Sequence, residues 1–120
     1  MKLKVLPPTL RKNNRYLTVD IKVNDKIDKN ELVALIWDGC IRFWGECETS
    51  NFNLWVMRFY EGEENGEYNS YKAIIRCQRG FEDKVRAAFT CINKFKNKRV
   101  AIITIGSSGT IKSSIERYIN

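Results

Sequence analysis

The chain contains no histidine among its 120 residues. That removes the side chain that titrates nearest neutral pH, and with it the general base of most hydrolase triads. An autonomous enzyme is disfavoured, although carboxylates or lysines could still do chemistry. Cys40, Cys47, Cys77 and Cys91 stand far apart and form no C-x-x-C pair. With no histidine to complete a zinc set, they read as reduced, mostly buried thiols. The chain has no internal repeat and no low-complexity tract. Its longest apolar runs, such as VAIITI, fall far short of the roughly 20 residues of a membrane span, and MKLKVLPPTLRK lacks the apolar centre of a secretory signal. Together these absences predict a soluble, cytoplasmic protein that makes no membrane contact and itself binds no metal or cofactor.

What is abundant is positive charge. The formal net charge is +7 and the pI is about 9.4, which favours a polyanionic partner. The distribution says more than the total. Lys2, Lys4, Arg11, Lys12 and Arg15 occur in the first fifteen residues without one acid. Residues 69–99 carry Lys72, Arg76, Arg79, Lys84, Arg86, Lys94, Lys96, Lys98 and Arg99 against only Glu82 and Asp83, whereas residues 25–67 are net acidic. Such segregation points to a nucleic-acid surface, since a merely soluble surface mixes the signs.

A chain of this length buries one core and is too short for two ordinary domains. The reading is a basic N-terminal arm over residues 1–15, extended around Pro7 and Pro8, followed by a single α/β domain over 16–120. RYLTVDIKV alternates, with Leu17, Val19, Ile21 and Val23 on one face, and predicts a half-buried first strand. DKNELVALIWDGCIRFWG offers Asp28 as N-cap with Glu31 three residues on, apolar residues at helical spacing and Gly45 as a stop. FNLWVMRFY and YKAIIRCQ predict a hairpin across the acidic turn EGEENGE, GFEDKVRAAFTCINKF a second amphipathic helix, KRVAIITI a fourth strand, and TIKSSIERYI a short last helix. The order βαββαβ plus a C-terminal helix predicts an α+β sandwich. Its expected form is ferredoxin-like or RNA-recognition-like, with two helices covering one face of a four-stranded antiparallel sheet. That fold alone assigns no function.

GSSGTIKSS, residues 106–114, raises the question of an anion site. It is not a P-loop, because Thr110 and Ile111 separate Gly109 from Lys112 where that motif needs lysine directly after glycine. Glycines that turn backbone N–H groups toward one point, a helix start, the hydroxyls of Ser107, Ser108 and Thr110, and the Lys112 cation would together suit a phosphate. The plain alternative is a strand-to-helix turn in which Ser108 or Thr110 caps the helix. YKAIIRCQ does not match the aromatic consensus of an RNA-recognition motif. Tyr16 and Tyr71 would stack on bases only if they share the open face of the sheet, and packing at a sheet border is the commoner use. Trp37, Trp44 and Trp55 read as core or protein interface, with Trp37, Phe43 and Trp44 as the candidate docking residues. The paired acids of EGEENGE read as solvated turn residues without calcium-loop spacing.

Taken in order, PPTLR-x-x-x-RY, the LIW of the first helix, IIRC and SGTIK resemble the archaeal ribonuclease P protein component 2 family, the counterpart of a eukaryotic RNase P and RNase MRP subunit. The resemblance runs over nearly the whole chain. It implies a non-catalytic subunit of the ribonucleoprotein that removes 5′ leaders from precursor tRNA, in which the RNA holds the active site and uses Mg²⁺ to activate water. It also implies pairing with the barrel-shaped ribonuclease P protein component 3. That assembly is a two-plus-two heterotetramer containing a homodimer of this chain; it supports the catalytic domain of the RNA and meets precursor tRNA indirectly. Carried over by motif, Arg11 and Arg15 near the start and Ser108, Gly109, Thr110 and Lys112 near the end are expected RNA contacts. Charge and position add Lys12, Lys72, Arg76 and Ser107. The acidic EGEENGEYNS hairpin and the short tail after Lys112 depart from the family, and no contacts carry over to them. The runner-up is a ferredoxin-like small-ligand-binding or enzymatic domain with its anion site at residues 106–112. A third reading is an assembly subunit that meets nucleic acid only through its partner.

Overall fold

In the computed structural model, which describes residues 14–64 and 66–119, the first regular element is strand β1 (Asn14–Val23). Helix α1 (Lys29–Trp44), a short helix α2 (Glu46–Ser50), strands β2 (Trp55–Glu64) and β3 (Asn69–Gln78), and helix α3 (Glu82–Cys91) follow. A two-residue strand β4 (Lys94–Phe95), strand β5 (Lys98–Ser108) and helix α4 (Ile111–Ser114), which runs on as a π-helical turn (Ile115–Ile119), complete the described chain. All pairings are antiparallel, in the order β2-β3-β1-β5-β4. The predicted sheet of four strands therefore has five. The extra one forms where Lys94 and Phe95 pair with Arg99 and Lys98, around Lys96 and Asn97 in left-handed conformation.

The local causes are visible in the caps. The Asp28 carboxylate accepts from the Glu31 N–H at 2.7 Å, and Gly45 ends α1 at φ 89°, a conformation that suits glycine. Glu31 does not close a capping box. Its carboxylate meets Lys98 Nζ at 2.7 Å, tying α1 to the start of β5, and that hydrogen bond is the main reason the Lys98 ammonium is held above its ordinary pKa. Leu32, Leu35, Ile36 and Cys40 of α1 and Val85, Ala88 and Phe89 of α3 bury against Leu17, Val19, Ile21 and Val23 of β1 and Ala73, Ile75 and Cys77 of β3. This is the larger of the two covered faces. Two thiols are buried and two exposed, which corrects the expectation of mostly buried cysteines. Burial pushes Cys40 and Cys77 up to about 12, with nearby Glu82 adding to Cys77.

The opposite face is covered only in part, by the C-terminal turn. The Tyr118 ring lies where a side chain on Gly106 would stand, Lys72 Nζ donates to the Tyr118 carbonyl at 3.4 Å, and Thr18 is fully buried although it alternates away from the core residues of β1. Among the described residues no helix is long and apolar enough to cross a membrane.

Candidate nucleic-acid interface

Strand register brings the two ends of the chain together. Tyr16 stands opposite Ser108 on β5 and opposite Arg76 on β3, and Arg76 stands opposite Trp55 on β2. Directly opposed residues share a face, so Trp55, Arg76, Tyr16 and Ser108 form one row across the second face of the sheet. Arg15, one position earlier, pairs with Cys77, and its guanidinium Nη1 lies 3.3 Å from where a Cβ on Gly109 would be. Arg15 thus belongs to β1, and the glycine opposite leaves its guanidinium room. Arg11 and Lys12 lie outside the described residues, as does all of the 1–15 arm except Asn14 and Arg15, which are strand.

The GSSGTIKSS stretch is built differently from a phosphate cradle. Gly106, Ser107 and Ser108 are still strand, and neither Gly106 nor Gly109 has a positive φ, which a concave nest of N–H groups requires. Thr110 caps α4, its hydroxyl accepting from the Ser113 N–H at 3.1 Å, as the plain turn reading anticipated. The Ser108 hydroxyl is nearly buried and accepts from the Thr110 N–H at 3.4 Å. Ser107 and Lys112 are exposed. A single α turn adds little aligned dipole, so what this end offers an anion is mainly the side-chain charge of Arg15, Arg76 and Lys112.

Ion pairing divides the basic residues. Lys84 pairs with Glu48, Arg86 with Asp83 and Lys98 with Glu31, so a part of the basic 69–99 segment is internally neutralised. Among the described residues no carboxylate lies within 4.0 Å of Arg15, Arg76 or Lys112. Arg76 is held instead by Asn53, donating from Nε to the backbone carbonyl at 3.4 Å and from Nη2 to Oδ1 at 3.3 Å. Lys72 lies on the same face four residues along β3, under the C-terminal turn, and is set apart from this cluster. No group of three or more Cys, Asp or Glu side chains converges among the described residues in a way that could hold a metal ion.

The aromatics depart from expectation. Tyr71 turns to the core face, stacks on Phe59 at 5.2 Å and accepts from the Ile27 N–H at 3.1 Å, so it does not share a face with Tyr16. Trp55 is 61% exposed, which removes the core alternative from its reading as core or protein interface, and the Arg76 guanidinium sits 6.0 Å from its ring centre. Trp37 and Trp44 pack partly buried against the core, and the Trp44 indole N–H donates to the Lys84 carbonyl at 2.9 Å. Of the three proposed docking residues only Phe43 is exposed, next to Ile41. Sequence reading missed Ile103 and Ile105, both exposed on β5, whose outer edge beyond Arg99 has no paired strand among the described residues.

Comparison with known proteins gives these features a context. A family model described as the Rpp14/Pop5 family matches residues 15–119. The chain is 61% identical to the ribonuclease P protein component 2 of Methanobrevibacter smithii over 94% of each chain. It is 42% identical to that of Methanothermobacter thermautotrophicus, covering 98% of this chain and 94% of the relative. With the protein of the same name from Pyrococcus abyssi the identity is 36%, over 100% and 96%.

Proposed function

The chain belongs to the Rpp14/Pop5 family, and on that premise we propose that it is a non-catalytic protein subunit of ribonuclease P, binding the catalytic RNA during 5′-leader removal from precursor tRNA in the cytoplasm. The observation that carries the RNA-binding part is that Arg15 and Arg76 stand at the same end of the sheet, one on each face, with Lys112 in the helix that follows Ser108, none of them ion-paired among the described residues. Phosphate contacts of this kind position an RNA without reading its sequence. Arg11 and Lys12 are further proposed RNA contacts. Ser107 lies beside the interface, and Lys72 joins it only where the C-terminal turn yields.

The fold is read as ferredoxin-like or RNA-recognition-like, supported by the order β2-β3-β1-β5 of its four long strands. Catalysis, and the magnesium it uses, is assigned to the RNA. Ribonuclease P protein component 3 is the proposed protein partner, in a two-plus-two heterotetramer containing a homodimer of this chain. Phe43 with Ile41, and Ile103 with Ile105, are exposed apolar groups available to such contacts. The small-ligand alternative is weakened by the strand conformation of residues 106–108 and the helix-capping role of Thr110.

Titration of the full chain with ribonuclease P RNA, and separately with inorganic phosphate by calorimetry, tests the proposal. Saturable RNA binding that weakens as salt rises, with no phosphate isotherm, is expected. Phosphate binding with no RNA binding would establish the small-ligand alternative.

A further inference from the structure

We propose that the row Trp55, Arg76 and Tyr16 is a stacking site for unpaired RNA nucleotides, with bases on the two aromatic rings and a phosphate on Arg76. It deepens the RNA-binding reading above and rests on it. The indole of Trp55 is 61% exposed, which leaves its ring accessible to a stacking base. Arg76 backs the indole at 6.0 Å while Asn53, itself at φ 54°, anchors the guanidinium. Tyr16 shares the face two strands away, roughly 10 Å from Trp55 by sheet spacing.

Part of this face is covered. Tyr118 sits over Gly106, Lys72 reaches the Tyr118 carbonyl, and Ile119 lines a cleft with Tyr60 and Lys72. The C-terminal turn therefore leaves the Trp55 end open, as it does Ile103 on β5, and the Trp55 end sets an exposed aromatic ring beside a cation. Charge decides the occupant. A flat apolar ring beside a cation that lacks an acidic partner matches a base followed by its phosphate, and stacking accepts any base. A protein seated here would desolvate Arg76 unless it brought acids of its own.

The test compares two RNA hairpins, one fully paired and one carrying unpaired nucleotides with 2-aminopurine among them, binding to the full chain with its partner protein. The wild type should prefer the unpaired hairpin by roughly tenfold, with quenching of 2-aminopurine fluorescence. Trp55→Ala should lose both the preference and the quenching while still binding the paired hairpin, and Trp55→Phe should restore part of both. An unchanged melting temperature checks that Trp55→Ala remains folded. If Trp55→Ala keeps the preference, or weakens partner-protein binding instead, the stacking site is wrong and the RNA-binding reading survives. If the wild type binds neither hairpin, both fall.

Discussion

Phe52→Ala should lower the unfolding free energy by about 3–5 kcal/mol, the usual cost of emptying a large buried aromatic site. For a chain of this size that corresponds to a fall in melting temperature of roughly 12–20 °C. Phe52 is fully buried, packs at 5.5 Å on Phe81 ahead of α3 and at 6.5 Å on Trp44 at the end of α1, and its carbonyl accepts from the Gln78 N–H at 2.7 Å. One ring thus joins both helices to the end of β3. The next residue, Asn53, holds Arg76, so the loss of packing should reach the interface as well. At temperatures where the variant is still folded, RNA affinity should drop further than Phe52's distance from solvent suggests. Thermal and urea unfolding followed by circular dichroism measures the first effect. A loss under 1 kcal/mol would show that the Phe52 site closes over the gap, contrary to the packing described.

The second large effect is electrostatic. Replacing Arg15, Arg76 and Lys112 together by alanine should cut affinity for ribonuclease P RNA by about a hundredfold near ~0.1 M salt and flatten the slope of log affinity against log salt by about 2 to 3. The control is Lys94, Lys96 and Arg99 around the β4–β5 turn, at the opposite end of β5 and on the order of 30 Å away by strand rise. Replacing these three should leave the slope nearly unchanged. Equal effects from both triples would mean that the chain binds RNA through overall charge, with no localised site.

How far the sequence foretold this arrangement depends on the range of the forces involved. The caps of α1 were legible because Asp28 and Gly45 act on their immediate neighbours. The faces of β1 were legible because alternation is local. Helix α2 and strand β4 are five and two residues long, too short to show a period. Strand β5 continues into Gly106, Ser107 and Ser108 because β1 extends to pair with them, a long-range cause that overrides the turn-like composition. The same applies to side-chain exposure. A tryptophan type favours burial, yet Trp55 stands exposed on the edge strand β2, and the apolar run VAIITI gives no sign that Ile103 and Ile105 stand exposed on β5. At the interface, the glycine and hydroxyl residues of 106–114 attracted attention, while the approach of Arg15 to Gly109 follows from strand register and left no local trace.

Cleavage of precursor tRNA at limiting magnesium, by ribonuclease P RNA with protein component 3 present, is the most direct trial of the proposed role. It should be run without this chain, with the wild type, and with the Arg15, Arg76 and Lys112 alanine variant. The wild type should raise the cleavage rate and lower the magnesium needed, and the variant should do markedly less of both. A rate indifferent to the wild-type chain would contradict its assignment as a working subunit. Full stimulation by the variant would contradict the phosphate contacts placed at this end of the sheet.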